Sequence, residues 1–190
     1  EWKYRPAGEF HDGKFAMFDP VNDVYSHRPY PTEMLTRLSP ASAYYGMIYP
    51  IQNYAIAGVI WLQGEANAGY ATQYRDVLPL TIKTFREAFR NEKMPFYFGQ
   101  LSNWRYMNGA ELGNMREAQP QVAETTDYCE MFSALDLGTC DDIHYSNKRA
   151  AGERFARLAL NKHYGFKDIV ASGPVLSKFE THNQHVLLTF

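Results

Sequence analysis

The sequence predicts an α/β fold in which a parallel sheet lies between layers of helices. Short apolar runs typical of buried strands alternate with longer segments in which apolar residues recur at helical spacing. The chain has 190 residues, of which 45% are hydrophobic, so it can bury one core of ordinary size. Since consecutive parallel strands are usually joined by crossover helices, the alternation favours a three-layer α/β/α arrangement.

The first strand and helix of this pattern lie in the middle of the chain. Residues 1–40 show no sustained period and are interpreted as an irregular connecting segment with at most short strands. Residues 55–62 form a continuous apolar run, which is typical of a strand covered on both faces. Helical spacing over residues 70–90 predicts one helix, bent at Pro79 because proline removes a backbone donor.

Further strands and helices follow in alternation. The segments 95–101 and 128–135 are predicted strands, and the periodicity of 111–124 and 146–164 predicts helices. An apolar strand at residues 184–190 is expected to open another, all-β unit.

Charge and hydropathy exclude several classes of function. The 19 basic and 21 acidic residues are scattered, with a formal net charge of -2, so nothing indicates nucleic acid or an acidic membrane surface as a partner. No apolar run is long enough for a transmembrane helix. The first ten residues resemble neither a signal peptide nor an initiator start, so we expect the sequence to begin inside a longer protein. Cys129 and Cys140 could form one bridge or remain free.

The polar turns after the three predicted strands are expected to meet at one edge of the sheet. Residues 63–67, 101–105 and 136–144 each follow a strand. In open parallel sheets, ligands bind outside the carboxyl ends of the strands. These turns are therefore the candidate site.

His144 lies in the last of these turns, after Asp141 and Asp142 and just before a helix. A histidine with an acid three residues upstream is suited to general-base catalysis, because a carboxylate can orient the ring and stabilise its protonated form. A helix-capping aspartate beside an incidental histidine fits the same residues. Metal binding by Asp141, Asp142 and His144 is a further interpretation, which needs additional ligands that the sequence alone does not place.

Gln63, Glu65 and Asn67 lie together where the first strand meets its helix. The amides of Gln63 and Asn67 could donate hydrogen bonds to a developing oxyanion, and Glu65 could accept one from a histidine or a sugar hydroxyl. Capping of the following helix is the alternative interpretation.

Read together, these clusters resemble sialate O-acetylesterases of the SGNH hydrolase superfamily. The resemblance is carried by Tyr-Gly-Met-Ile-Tyr-Pro at 45–50, Gly-Val-Ile-Trp-Leu-Gln-Gly-Glu-Ala-Asn at 58–67, Arg-Glu-Ala-Gln at 116–119, and Asp-Ile-His with Lys148 and Gly-Glu-Arg between 142 and 154. Order and spacing hold from about residue 41 to residue 190.

The resemblance implies a flavodoxin-like α/β/α hydrolase in which a serine attacks an acetyl ester, a histidine relays the proton and a carboxylate supports that histidine. His144 matches the family's histidine. Asp141 is preferred as its partner because of the three-residue spacing in the wider superfamily. Asp142 is the alternative, and Glu65 is a further candidate for holding the imidazole.

Other contacts of the site are implied in the same way. Gln63 or Asn67 would replace the oxyanion-stabilising asparagine of the wider superfamily. Ser102 and Trp104 follow a strand at the active edge. Ser102 is expected to make a substrate or structural contact, and Trp104 to contact the substrate. No cofactor and no metal ion are implied.

The family's nucleophile motif, Gly-Gln-Ser-Asn, is missing from this chain. In the family it lies near the start of the hydrolase domain, before the region that matches here. The resemblance therefore implies that an upstream fragment or subunit carries the serine, that the first strand of the sheet is missing, and that this chain alone is inactive. Residues 41–165 would be the C-terminal part of the hydrolase domain, and 166–190 a linker with the first strand of a following β unit.

The expected activity is the removal of O-acetyl groups from sialic acid or a related sugar. An acetylxylan esterase is the close alternative, since the deacetylation chemistry is the same. A noncatalytic carbohydrate-binding remnant is the alternative from another class, with Trp61, Trp104 and Tyr106 stacking on sugars. The resemblance implies a periplasmic, secreted or lysosomal protein.

Overall fold

The computed structural model divides the chain into two compact units, Glu1–Ala55 and Ile56–Phe190. The structure describes residues 8–11, 14–17, 34–35, 39, 41–105 and 109–190.

The first unit contains short strands and two short helices. Strand β1 (Gly8–His11) pairs antiparallel with β2 (Lys14–Met17), which pairs antiparallel with β3 (Met34–Leu35). A π-helix (Tyr44–Ile48) is followed directly by a 3₁₀ helix (Tyr49–Ile51). The predicted boundaries at residues 40 and 165 stay predictions.

The second unit is built on a parallel sheet. Strands β4 (Val59–Trp61), β5 (Phe96–Gly99) and β6 (Cys129–Phe132) lie in that order, with β5 in the middle. Both pairings are parallel, and Phe98 is aligned with Trp61 on one side and Met131 on the other. The predicted parallel sheet is confirmed, although each strand is shorter than the apolar run that predicted it.

Helices connect the strands of this sheet. A 3₁₀ helix (Glu65–Tyr70) leads into α1 (Ala71–Ala88), and α2 (Gly109–Thr125) joins β5 to β6. After β6, helix α3 (Lys148–Leu158) continues as a π-helix (Ala159–His163). Within the described ranges, no helix combines the length and the apolar character needed to cross a membrane.

Helix α1 continues through Pro79 as a single element. The proline removes one backbone donor, but packing holds the helix on both sides of it. Tyr74 and Leu78 before the proline and Ile82 after it are buried in the same core. The single helix expected here is therefore present.

The alternation of side chains along β5 separates two cores. Phe96 and Phe98 are fully buried against α1 and α2, whereas Tyr97 packs in the cluster that contains Phe155 of α3. Since successive residues of a strand point to opposite faces, helices cover both sides of the sheet. This confirms the three-layer α/β/α prediction.

Strand β4 is covered on only one face within the described part of the chain. Val59 and Trp61 pack on the core formed with α1 and α2, but Ile60 is 67% exposed and Leu62 is 49% exposed. Helix α3 packs against β5 and β6 and leaves this part of the opposite face open. The expected coverage of both faces is thus not found at this edge strand.

Arg86 of α1 binds the segments that lead into the N-terminal ends of β5 and β6. Its Nε donates to the carbonyl oxygen of Met94 at 3.0 Å. Its Nη2 donates to the carbonyl oxygens of Asp127 at 2.7 Å and Tyr128 at 3.3 Å. Because these residues directly precede β5 and β6, one guanidinium fixes the entry of the chain into both strands.

The C-terminal residues form a β-hairpin. Strand β7 (Lys178–His182) pairs antiparallel with β8 (His185–Thr189). Asn183 in the turn has a φ of 54°, a left-handed conformation that asparagine tolerates better than most residues. The predicted strand at 184–190 is confirmed as β8, whereas β7 was missed.

The two cysteines are free thiols. Cys129 is buried in β6, and Cys140 is exposed in the loop that follows. Burial raises the pKa of the Cys129 thiol to about 12, so this side chain acts as an apolar core group rather than as a reactive thiolate.

We expect Phe98→Ala to lower the free energy of unfolding by about 3–5 kcal/mol, because it removes a fully buried ring from the central strand and leaves a cavity. Phe179→Ala in β7 is the matched control, since Phe179 is 67% exposed. Its loss should stay below about 1 kcal/mol. Urea unfolding followed by circular dichroism measures both variants. Equal losses would contradict the role of β5 as the centre of the core.

Candidate active site

Loops that follow the three parallel strands enclose one cavity of about 310 Å³. The predicted site residues Gln63, Glu65, Ser102 and His144 all line it. They come from the ends of β4, β5 and β6, so the expected convergence of the polar turns is observed. The cavity lies where parallel sheets generally bind ligands.

The side-chain amides of Gln63 and Asn67 bind each other. Gln63 Nε2 donates to Asn67 Oδ1 at 2.7 Å. The Tyr74 hydroxyl donates to Gln63, lying 3.1 Å from its carbonyl oxygen and 3.4 Å from Oε1. Burial raises the pKa of Tyr74 to about 12, so it remains a neutral donor. These contacts fix the Gln63 amide and leave its second Nε2 hydrogen to donate to a ligand.

Gly64 occupies a position in this turn that only glycine adopts easily. Its φ is 150°, a conformation that L side chains rarely take. A Cβ there would lie 3.2 Å from Leu101 Cδ2 and 3.5 Å from Gln119 Nε2. The Gln-Gly-Glu sequence therefore brings Gln63 and Glu65 to the cavity by a turn that other residues would strain.

The two aspartates before His144 have different contacts. Asp142 Oδ1 accepts a hydrogen bond from the backbone N–H of His144 at 2.7 Å. Asp141 forms an ion pair with the Arg105 guanidinium. The backbone N–H of Arg105 also donates to the carbonyl oxygen of Cys140 at 2.8 Å, which joins the loop after β5 to the loop after β6. Of the two, Asp142 is the aspartate bonded to His144 itself.

Arg154 of α3 fixes the start of the His144 loop. Its Nη1 and Nη2 donate to the two carboxylate oxygens of Asp136 at 2.7 and 2.5 Å, and Nη1 also donates to the Ser133 carbonyl oxygen. Hydrogen bonding by Arg154 holds the pKa of Asp136 below its ordinary value. The loop is therefore attached both to the sheet and to the helix that follows it.

Ser102 is buried in the wall of the cavity at the point where the His144 loop approaches it. A Cβ on Gly138 would lie 2.7 Å from Ser102 Cβ, so this contact requires a glycine. Trp104 is half-buried on the same loop as Ser102. The described residues that line the cavity do not include Trp104, Asn67, Asp141 or Asp142.

Two residues of the cavity wall, Tyr145 and Lys148, lie outside the predicted set. The Tyr145 side chain is buried, and its hydroxyl has no hydrogen-bond partner in the part of the chain that the structure describes. Burial raises the pKa of Tyr145. Lys148 Nζ lies 3.8 Å from the Tyr145 ring centroid, a cation–π contact. Closeness to His144 in the sequence was a signal for both residues, and Lys148 also belongs to the segments that carry the family resemblance.

The described residues contain no group of three His, Cys, Asp or Glu side chains arranged to hold a metal ion. Tyr106, which would stack on a sugar in the noncatalytic alternative, lies outside the described residues.

Comparisons with known proteins agree on one family. A family model described as "Carbohydrate esterase, sialic acid-specific acetylesterase" matches residues 26–161. The match to the sialate O-acetylesterase of Rattus norvegicus is 30% identical and covers 75% of this chain. The match to that of Mus musculus is 29% identical and covers 70% of this chain. The chain spans only 30% and 28% of the length of these two relatives.

A solved structure agrees with this result. The chain is similar to a carbohydrate acetylesterase from Xanthomonas citri, with a TM-score of 0.68 and 31% sequence identity, covering 75% of this chain and 34% of that one. The resemblance inferred from the four segments is confirmed. The chain therefore belongs to the family of carbohydrate esterases described as sialic acid-specific acetylesterases.

Proposed function

We propose that this chain contributes the catalytic base, its acid and much of the pocket of a serine esterase that removes O-acetyl groups from sialic acid or a related sugar. The observation that carries the proposal is the cavity that His144 shares with Gln63 and Glu65 of the Gln-Gly-Glu turn. Membership of a carbohydrate esterase family supports the reaction class.

In this proposal His144 acts as base and then as acid. It takes the proton of a serine hydroxyl as the serine oxygen attacks the acetyl carbonyl, and it then gives the proton to the departing sugar oxygen. Water, deprotonated by His144, attacks the acetyl-enzyme; acetate is released as the acyl–serine bond breaks and the serine oxygen takes the proton back from His144. The protein lowers the barrier by holding these groups in position and by stabilising the developing charge.

We favour Asp142 as the acid that supports His144. Its Oδ1 accepts a hydrogen bond from the His144 backbone N–H, which keeps this carboxylate next to His144. Asp141, preferred from spacing alone, is paired with Arg105. Glu65 lines the cavity and remains a candidate for binding the imidazole or a sugar hydroxyl.

The remaining candidates would bind the substrate. Gln63 would donate its second Nε2 hydrogen to the oxyanion, with the Asn67 side chain holding the amide in place. Ser102 would contact the sugar from the wall of the cavity, and Trp104 would contact parts of it outside that wall.

The nucleophilic serine would come from an upstream fragment or subunit. Relatives more than three times as long as the matched region support this arrangement. So does strand β4, which pairs with β5 alone among the described strands and leaves Ile60 and Leu62 exposed. A further strand beside β4, with its own cover, would bury these side chains.

An acetylxylan esterase is the second candidate function. The structural neighbour from Xanthomonas citri is described as a carbohydrate acetylesterase with no sugar named, which is compatible with a neutral sugar as the substrate. For either sugar we propose a periplasmic, secreted or lysosomal location, where acetylated glycans are accessible. Cell fractionation with an antibody against this chain tests the location.

The chain alone is expected not to hydrolyse a chromogenic acetyl ester above the rate of the buffer, because it lacks the serine nucleophile. Adding the upstream region, on the same polypeptide or as a separate fragment, should restore hydrolysis. The release of p-nitrophenol from p-nitrophenyl acetate measures both. Activity of the isolated chain that disappears in Ser102→Ala would contradict the proposal and identify Ser102 as the nucleophile.

His144→Ala is expected to lower kcat by about a thousandfold or more in the active form, because the serine then lacks its base. Ser102→Ala should lower kcat/KM by less than about tenfold, as expected for a substrate contact. Steady-state kinetics measure both, and thermal unfolding checks that the variants fold. A His144→Ala variant with normal kcat would remove His144 from the mechanism.

Asparagine substitutions should separate the two aspartates. Asp142→Asn is expected to lower kcat by about a hundredfold or more, because the imidazole loses the carboxylate that orients it. Asp141→Asn should affect kcat less, since it removes an exposed ion pair with Arg105. The same assay on Glu65→Gln completes the comparison. If Asp141→Asn or Glu65→Gln caused the largest fall in kcat, that residue rather than Asp142 would be the acid that supports His144.

A further inference from the structure

Gln119 of α2 binds the backbone at the end of β5. This side chain is fully buried, and its Oε1 accepts the backbone N–H of Leu101 at 2.9 Å. Its Nε2 donates to the carbonyl oxygen of Gly99 at 3.4 Å, and a Cβ on Gly64 would lie 3.5 Å from the same nitrogen. Because a backbone N–H only donates and a backbone carbonyl only accepts, the Gln119 amide has one orientation. Its nitrogen end therefore faces the turn after β4 that contains Gln63 and Gly64.

The buried hydroxyl of Tyr74 lies close to this nitrogen and to the Trp61 indole. Burial raises the pKa of Tyr74 to about 12, whereas the Trp61 and Gln119 side chains act to lower it. Neutral side chains lower a tyrosine pKa when their N–H groups face the phenolic oxygen. Trp61 Nε1 is itself buried and completes no hydrogen bond within the described part of the chain. The Tyr74 oxygen is thus the acceptor that two N–H groups face.

With donors on its oxygen, the Tyr74 hydroxyl has one hydrogen left to give, and it gives it to Gln63. The hydroxyl lies 3.1 Å from the Gln63 carbonyl oxygen and 3.4 Å from Oε1. Turned by 180°, the Gln63 amide would bring its NH₂ group against an oxygen that already faces two donors. Tyr74 therefore favours the orientation in which Oε1 is on its own side and Nε2 donates to Asn67 Oδ1 at 2.7 Å.

The orientation of this amide decides what Gln63 offers to a ligand in the cavity that it lines. Gln63 and Asn67 alone could bind each other in either sense, because the two ends of an amide have nearly the same shape and both amides can turn together. In the observed sense, Nε2 keeps one hydrogen for a ligand. In the reversed sense, an oxygen would take the place of that nitrogen and would repel a developing oxyanion.

We propose that Tyr74 and Gln119 are positioning residues, which keep the nitrogen of the Gln63 amide available to the oxyanion of the acetyl transfer. This inference rests on the proposed function, in which Gln63 is the oxyanion donor, and adds residues that act through it. The direction of donation is set at the Leu101 N–H, which cannot be reversed, and passes through Gln119 and Tyr74 to Gln63. The described residues that line the cavity do not include Tyr74 or Gln119, so both act without touching the substrate.

A double-mutant cycle on Tyr74 and Gln63 tests this proposal. The enzyme is assayed as this chain with its serine-bearing region, on p-nitrophenyl acetate. Tyr74→Phe keeps the ring and removes the hydroxyl, and it should lower kcat at least about tenfold with KM changed less than about twofold, because the oxyanion forms only in the transition state. Gln63→Ala should lower kcat about a hundredfold. Adding Tyr74→Phe to Gln63→Ala should lower kcat by less than about a further twofold.

Tyr97→Phe is the matched control, because Tyr97 is also a buried tyrosine but packs on the opposite face of β5, in the core that contains Phe155. Its kcat should stay within about twofold of the unmodified enzyme. Gln119→Met, which removes the donor to the Tyr74 oxygen, should lower kcat at least about threefold. If Tyr74→Phe does not fold, Trp61→Phe replaces it in the cycle, since it removes the indole N–H that faces the same oxygen, and it should also lower kcat at least about threefold.

Several results would overturn the inference. One is a normal kcat in Tyr74→Phe, or in Trp61→Phe where that variant replaces it. Another is a fall of kcat that is equally large in the Gln63→Ala background, which would mean that Tyr74 serves the fold alone. A raised KM with normal kcat would mean that Tyr74 acts on substrate binding instead. An unmodified enzyme that hydrolyses no acetyl ester would overturn the proposed function itself, and a normal kcat in Gln63→Ala would remove the oxyanion donor and this inference with it.

Discussion

The buried central strand β5 is the constraint on which the rest of the second unit depends. It pairs with both β4 and β6, and Phe96 and Phe98 on one face and Tyr97 on the other determine where the helices pack. A strand buried on both faces and paired on both sides cannot shift its register without moving every side chain to the wrong face. Its end is therefore fixed, and so is the Ser102 loop that follows.

Arginine side chains hold the segments at both ends of the strands by binding main-chain oxygens. Arg86 binds the segments that enter β5 and β6, while Arg116 and Arg154 bind the loops that leave them. The planar guanidinium suits this role because it offers five donors in a fixed geometry. Such connections keep the cavity in shape before a ligand arrives, which reduces the ordering that binding would otherwise require.

The sequence alone predicted the strands and helices that are specified by short-range patterns of apolar residues. Apolar runs and helical periodicity identified the three parallel strands and the helices between them, and the rule for parallel sheets brought Gln63, Glu65, Ser102 and His144 into one cavity. The exposure of Ile60 was not predictable, because it depends on which neighbours cover an edge strand. Nor could spacing show which aspartate contacts His144, since Arg105, remote in sequence, binds Asp141.

The spatial order of β4, β5 and β6 follows their order along the chain. Strands β5 and β6 each pair with the strand that precedes them in the sequence, from which a crossover helix separates them. No described strand therefore has to insert between two strands that are already paired. Parallel sheets fold slowly when distant segments must meet first. Here the sheet can grow outward one strand and helix at a time, and this order suits a chain that folds as it leaves the ribosome.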